Sequence, residues 1–382
     1  MPEIFSFCPS GPPWRLEWEA IDRRFEWIRA LRGCPQNPRY HAEGDVWVHT
    51  RLVCEALIEL DEWRALDPSL REDLFVAALL HDAAKPECTR VLPDGRITSR
   101  GHARRGALQA RRILWRQGVP VERRERICAL VHHHMVPLYL RDSERRERQV
   151  VGVSQTVRCD HLAILGRADA LGRITEDAEE LHARHDAYAR ICREVGCFDR
   201  PYPFDDDHQR FLFFRRPDQA LGATVAPAGE ARVTLLCGLP GSGRRPWAQR
   251  YAGAATLIDL DALRRRYDVG AEDNQGAVVA EARCLARDRL QRGADIVWSD
   301  TNLSRRLRAH LLDLFAEHEA RVRIVYLERD AASWLDGFQR RGEPESTLTS
   351  WLDRWEVPDL TEAHELEWRV SSNTPLQVAE VP

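Results

Sequence analysis

Residues 81–86 read His81-Asp82-Ala83-Ala84-Lys85-Pro86 (HDAAKP) and close an apolar helical run containing Leu74, Val76, Ala77, Leu79 and Leu80. Adjacent side chains on a helix diverge by about 100°, so a neighbouring imidazole and carboxylate can both reach one cation. Lys85 follows His81 by four residues and Asp82 by three, which puts all three on overlapping faces. Pro86 disfavours helical geometry at Lys85, so the helix is expected to end just past the cluster. An imidazole, a carboxylate and an ammonium at a helix end suit a metal site that hydrolyses phosphate esters. A His-Asp pair alone is not a site, and the rest of the chain must bring partners to it.

The 382 residues are enough for two domains with separate cores. A composition 43% apolar and 30% charged is that of a soluble globular protein. No apolar run approaches the roughly 18–20 residues that span a bilayer. The opening MPEIFSFCPSGPPW has no basic segment before an apolar one, so a cytoplasmic chain without membrane contact is expected. Ten cysteines stand singly with no C-x-x-C, which reads as reduced core thiols and not as disulfides or a zinc ribbon. With a net charge of −4, any nucleic-acid contact must come from a local patch. Of the 56 basic residues only Lys85 is lysine.

Candidate partners for His81 and Asp82 occur in order along the first half. Residues 14–32 form a helical pattern, followed by a helix VWVHTRLVCEALIEL with His49 near its start. After HDAAKP, TRVLPDGRITS reads as a hairpin turning at Asp94-Gly95. GHARRGALQARRILWRQG begins a helix with His102 at its start. RRERICALVHHHMVP carries His132, His133 and His134, which cannot share one face. In VSQTVRCDHLAILGRADALGR, Leu162, Leu165 and Asp169 follow i, i+3, i+7 and put a carboxylate on the apolar stripe. Buried and unpaired it would be costly, so Asp169 needs a cationic partner. Residues 176–196 read as an amphipathic helix with His182 and His185 solvated.

On these residues, positions about 40–175 resemble the HD-superfamily phosphohydrolases, whose pattern is an upstream His, the His-Asp pair, two further histidines and a distal Asp. The resemblance implies an all-α metal-binding domain with His49, His81, Asp82 and Asp169 on one divalent cation. It implies that His102 and His134 bind a second metal or the phosphate, and that Lys85 neutralises phosphate charge. His134 is preferred by its spacing to Pro137, with His133 as the fallback. Imidazoles with carboxylates suit manganese, nickel or cobalt, and such a cation lowers the pKa of a bound water to make the nucleophile.

The proline-rich CFDRPYPFDDDHQRFLFFRRPD and the small-residue GATVAPAGEA separate the halves, giving a first domain over 1–198, a connector over 199–230 and a second domain over 231–382. RVTLLCG then leads into GLPGSGRR and a helix, a cradle whose backbone N–H groups point at phosphate. Gly238 and Gly243 fit a P-loop, with Gly241 and Ser242 between them as further nucleotide-binding candidates, but Arg244 and Arg245 replace its Lys-Ser/Thr pair, and Pro246 removes a backbone donor. Arg244 keeps the charge in a bulkier, planar form, while Arg245 removes the hydroxyl that would bind magnesium. Strands ATLIDL, DIVWSD and VRIVYLE alternate with helices, which argues for a parallel sheet covered on both faces. The stretch from ASWLDGF to HELEW is expected to be a helical, arginine-bearing lid.

GLPGSG, the Asp261-x-x-Arg264 pair, the DTNLS turn and WEVPD resemble the P-loop kinases that phosphorylate 5′-hydroxyl ends of polynucleotides. With the first half, the chain looks like the HD-domain polynucleotide kinase–phosphatases of bacterial RNA repair. That implies Asp261 as general base, Arg264 on the neighbouring phosphate, Asp300 on magnesium or its water, and Arg340 and Arg341 as lid residues on ATP. The expected activity is healing of RNA ends: removal of 2′,3′-cyclic or terminal phosphate by one half and 5′-phosphorylation by the other, for a separate RNA ligase. Competing readings are an HD phosphoesterase whose degenerate P-loop only binds nucleotide or RNA, and a hydrolase of free nucleotides with an ATP-sensing second half. Nothing in the sequence points to an oligomeric state.

Overall fold

Helical periodicity in the first half and short apolar strands in the second give two different architectures. The protein, seen in a computed structural model that describes residues 2–140, 145–270, 273–371 and 377–379, divides into units Met1–Pro203 and Phe204–Val381.

The first unit is built on α1 (Trp18–Arg24), α2 (Val46–Glu59), α3 (Pro68–Leu80), α4 (His102–Arg116), α5 (Val121–His133), α6 (Arg146–Ser154), α7 (Cys159–Leu171) and α8 (Ala178–Val195). Local chemistry sets the starts: the Asp45 side chain accepts from the Val48 amide at the head of α2, and Pro68 opens α3, where its missing N–H is no loss. From Asp73 to Leu80 every residue of α3 is buried, and α2, α5 and α7 pack around it. That central position carries the end of α3 into the middle of the unit.

Two local expectations change. The helix expected over 14–32 breaks at Phe25, whose backbone is extended (φ −110°, ψ 113°). Its ring is buried with Phe7 at 5.3 Å between centroids, so core packing overrides the helical ladder. At the cluster, α3 ends before the His-Asp pair and not after it. Ala83 donates to Leu80 O (3.1 Å) and Lys85 to Asp82 O (2.9 Å), a tighter turn than an α-helix. Pro86 then lies in the first turn of a short helix, Lys85–Cys88, and starts an element where it was expected to stop one.

The hairpin forms as expected from β1 (Arg90–Val91) and β2 (Ile97–Thr98), antiparallel, with Gly95 at φ 79° in the turn. All ten cysteines are free thiols. Cys159, Cys192 and Cys197 meet in the core because Gly196 (φ 78°) turns the chain back over the end of α8 and Cys197 N donates to Cys192 O (2.8 Å).

In the second unit, α9 (Asp207–Arg215) precedes β3 (Arg232–Cys237), α10 (Arg244–Tyr251), β4 (Thr256–Asp259), α11 (Leu260–Tyr267) and α12 (Gly276–Gln291). Then follow β5 (Ile296–Ser299), α13 (Arg305–Glu317), β6 (Arg321–Arg329), α14 (Ala331–Arg340), α15 (Glu345–Leu352), β7 (Glu365–Ser371) and β8 (Gln377–Ala379). The sheet order is β4-β5-β3-β6-β7-β8, parallel except for β8. Order reverses at β3, so the loop after it lies where an open α/β sheet leaves a crevice.

Residues 204–230, expected as connector, fall in the second unit and are tied into it: Gln209 Nε2 donates to Ala223 O (3.2 Å) and Gly229 N to Glu319 O (2.8 Å). The expected lid is helical only as far as Leu352. Residues 365–371 form β7, pairing with β6 from Arg323–Glu365 to Arg329–Ser371. Charged residues at its start hide a strand whose backbone groups are satisfied by a distant neighbour. No helix among the described residues is long and apolar enough to cross a membrane.

Candidate metal centre and phosphate-binding loop

Helix α2, the end of α3, α4, the end of α5 and α7 deliver His49, His81, Asp82, His102, His134 and Asp169 to one buried cluster. His81, His102 and His134 each donate Nδ1–H to the backbone carbonyl three residues earlier, Ala78 (2.7 Å), Ser99 (2.8 Å) and Val131 (2.7 Å). Their Nε2 atoms therefore face the centre. His49 is oriented likewise, Nδ1 lying 2.9 Å from Glu43 Oε1.

The consequence is two pairs of opposed imidazole nitrogens. His49 Nε2 lies 3.4 Å from His81 Nε2, and His102 Nε2 lies 3.2 Å from His134 Nε2. Asp82 stands between the pairs: Oδ2 is 3.2 Å from His81 and 3.7 Å from His49, while Oδ1 is 3.3 Å from His102 and 3.9 Å from His134. Lone pairs at such distances repel unless a proton or a cation lies between them. Both Asp82 oxygens are buried without a hydrogen bond of good geometry, although Lys85 Nζ is 2.7 Å from Oδ2. This donor set fits divalent cations, with Asp82 shared between two subsites.

Electrostatics prepares the donors. Burial pushes the Asp82 carboxyl up, but His81, Lys85 and His102 outweigh it and hold it well below the usual carboxylate range. Burial likewise opposes ionisation of Asp169, and Arg173 and His49 overcome it. Burial takes His134 down to about 3 and also lowers His102, leaving both neutral. At His81 burial is outweighed by Asp82, so its pKa is raised.

Of the expected site residues in this unit, Asp169 reaches His49 (Oδ1 to Nε2, 3.2 Å), but both its oxygens accept from Arg173, at 3.0 and 2.7 Å. His132 is exposed, and His133 turns to Thr156 Oγ1 (3.2 Å), so only His134 of the three faces the centre. His185 donates from Nε2 to Ala163 O (2.9 Å) and is not simply solvated. Glu43, Arg173 and Gln36 were not anticipated. Glu43 also lies 2.8 Å from His41 Nδ1, and Gln36 Oε1 accepts from Lys85 Nζ at 2.7 Å. Arg173 was legible as the i+4 partner of Asp169. Gln36, 49 residues before Lys85, carried no local signal.

The phosphate loop of the second unit requires its glycines. Gly238 has φ 147°, and a Cβ there would lie 2.2 Å from Leu327 O. Gly243 (φ 99°) caps α10. Arg244 turns inward and is 9% exposed, with Nε and Nη1 buried and unbonded. Burial lowers its pKa against the pull of Asp300 and Asp261. Ser242 Oγ is also buried and unbonded, whereas Arg245 is exposed.

Arg264 bridges the two acids, donating to Asp261 Oδ1 at 2.5 Å and Asp300 Oδ1 at 3.1 Å. The lid arginines separate. Arg341 lies over the loop, its Nη1 being 3.2 Å from where a Cβ on Gly241 would sit, while Arg340 pairs outward with Asp336 (2.7 Å). Trp334 Nε1 donates to Pro240 O (2.8 Å), tying α14 to the loop.

Residues 46–174 match the HD domain family. This is an HD domain. Residues 233–358 match a family described as AAA domain, so the chain joins an HD domain to a P-loop domain. Similar curated proteins carry the name Multifunctional CCA protein. The one from Methylococcus capsulatus is 31% identical over 187 residues, covering 49% of this chain and 38% of that protein. The one from Laribacter hongkongensis is 31% identical over 165 residues, 40% of this chain and 36% of that protein. In Pasteurella multocida the values are 30% over 119 residues, 30% and 27%. The chain thus spans 38% or less of the length of these relatives. An HD domain implies divalent metal and a P-loop domain implies nucleotide with magnesium.

Proposed function

We propose that the HD domain is a metal-dependent phosphohydrolase that removes 2′,3′-cyclic or terminal phosphates from RNA ends. The carrying observation is the two facing Nε2 pairs with the buried Asp82 carboxylate between them, its oxygens without a hydrogen bond of good geometry, a donor set suited to a cation in each pair. His49, His81, Asp82 and Asp169 would hold one divalent cation, and Asp82, His102 and His134 a second; bound there, the metal supplies an activated water and charge neutralisation. Lys85, whose ammonium lies 2.7 Å from Asp82 Oδ2, stabilises the charge that develops on phosphate oxygen. Manganese, nickel and cobalt suit the nitrogen-rich set. The relatives named for CCA favour an RNA substrate.

For the second unit the reading is ATP binding by the Gly238–Arg244 cradle, with Asp261 as general base, Arg264 on a neighbouring phosphate, Asp300 on magnesium and Arg341 on ATP. Transfer to a 5′-hydroxyl would be weak. The P-loop hydroxyl is replaced by Arg245, which faces out, and Arg264 must release Asp261 and Asp300 before either can act. These facts favour, as the second reading, a module that binds nucleotide without turning it over.

One experiment tests both halves. RNA bearing a 5′-hydroxyl and a 2′,3′-cyclic phosphate is incubated with the protein, with and without manganese and ATP, and both ends are scored. Manganese-dependent loss of the cyclic phosphate is expected; its persistence under every metal tried rejects the hydrolase reading.

A further inference from the structure

Resting on the reading of the HD centre as a hydrolase of nucleotide ends, we infer that Tyr40 and Tyr139 form the platform that recognises the nucleoside next to the reacting phosphate. A cleft of about 530 Å³ opens onto the centre and is lined by Lys85, His102 and Arg173 at its inner end and by Tyr40, Tyr139 and Arg100 further out. That volume is in the range of small-molecule pockets. In a chain with 60 acidic residues, none of the described residues lining this cleft is acidic. A ligand with negative charge at its inner end fits that lining, and a cationic or peptide-amine ligand does not.

The outer end is aromatic and open. Tyr40 and Tyr139 are each 38% exposed, with the Arg39 guanidinium 5.3 Å from the Tyr40 ring centroid and that of Arg184 5.8 Å from the Tyr139 centroid, so each ring already sits in a cationic setting. Both are held by the machinery they flank. Tyr40 precedes His41, which contacts the Glu43 that orients His49. Tyr139 sits in the short helix Val136–Tyr139 just past His134, and its hydroxyl accepts from Arg173 Nη1 at 2.9 Å. Bases stack on aromatic faces whatever their sequence, and the arginines add cation–π attraction. A phosphate at Lys85 and His102 with a base against the tyrosines matches both ends of the cleft.

The test uses the full chain with manganese and two substrates that share the reacting group: 2′,3′-cyclic AMP and a base-less ribose 2′,3′-cyclic phosphate. Kd for both is also measured by calorimetry in metal-free buffer, where nothing turns over. The wild type should prefer the nucleotide, and Tyr40→Ala and Tyr139→Ala should each reduce that preference about fivefold or more, in kcat/KM and in Kd. Tyr139→Phe, which keeps the ring but loses the bond from Arg173, should keep the preference. A wild type indifferent to the base, or alanine variants that weaken both substrates equally, would overturn the inference. If nothing is hydrolysed but Kd shows the tyrosine-dependent preference, the hydrolase reading falls and the nucleoside site stands.

Discussion

At the scale of single residues, Asp82 links most of the centre. Asp82→Ala should lower manganese-dependent phosphoester hydrolysis by about 100-fold or more, because Asp82 is proposed to be a direct metal ligand and loss of even an outer partner costs about 10–100-fold. The same change strands the buried Lys85 ammonium, so some stability is lost too. Asp82→Asn separates the effects, because it keeps the volume and offers Lys85 an amide oxygen. Both variants should lose the rise in melting temperature that manganese gives the wild type; if either keeps rise and activity, Asp82 is not a ligand. Lys85 is the sharper test. Its Nζ sits at 2.7 Å from both Asp82 Oδ2 and Gln36 Oε1, a fit for a compact ammonium and not for a planar fork. Lys85→Arg should cut kcat/KM more than tenfold, about 1.4 kcal/mol or more in barrier. Unchanged kinetics would place Lys85 outside the chemistry.

At the scale of elements, the loop between β3 and α10 is a cradle with one altered wall. Its glycines and the head of α10 should still bind ATP, while a displaced magnesium hurts turnover more than binding. Arg244→Lys with Arg245→Ser should therefore raise 5′-kinase activity while ATP affinity changes little. No ATP binding by calorimetry, or vigorous wild-type activity that the double change fails to raise, would show the loop works otherwise. A second element-scale prediction lies where β7 enters the sheet. His364 Nδ1 accepts from Val322 N (2.9 Å) on β6, and its Nε2 lies 2.9 Å from His208 Nδ1 on α9. Burial, then His208, Arg321 and Arg210, take its pKa to about 3, and burial also lowers His208. The unfolded chain thus binds more protons below about pH 6.5, so stability present above that pH is lost as pH falls, by up to about 1.4 kcal/mol per unit for each imidazole. Protonated Nδ1 would also face the Val322 N–H. Hydrogen-exchange protection of Arg321–Arg329, corrected for intrinsic rates, should fall between pH 6.5 and 5 in the wild type. It should fall less in His364→Gln; equal slopes would refute the assignment.

At the scale of the whole molecule, each site is assembled within one unit. The HD cluster draws only on residues before Pro203 and the phosphate loop only on residues after Phe204. Effects at such separate sites should add. Asp82→Asn is expected to leave the Kd for ATP unchanged, and the double P-loop change to leave cyclic-phosphate hydrolysis unchanged. A shift of more than about threefold in either direction would mean that the two activities are coupled.

The two-domain order, an all-α body and then a parallel sheet with a glycine-rich turn, was legible in the sequence alone. Both patterns are local: apolar residues at helical spacing around His49, His81, His102 and Asp169, and apolar strands running into GLPGSG. Tertiary structure decided what local pattern cannot encode, which is how each buried polar group is satisfied. Asp169 needed a cation and Arg173 supplied it, Lys85 found Gln36, and His49 found Glu43. Arg244 turned in while Arg245 stayed out, and Arg341 reached the loop while Arg340 did not. Residues 365–371 became a strand because β6 offered a ladder across a gap in sequence. A buried donor or acceptor must be paired wherever its partner lies along the chain, and only the folded packing brings that partner within reach.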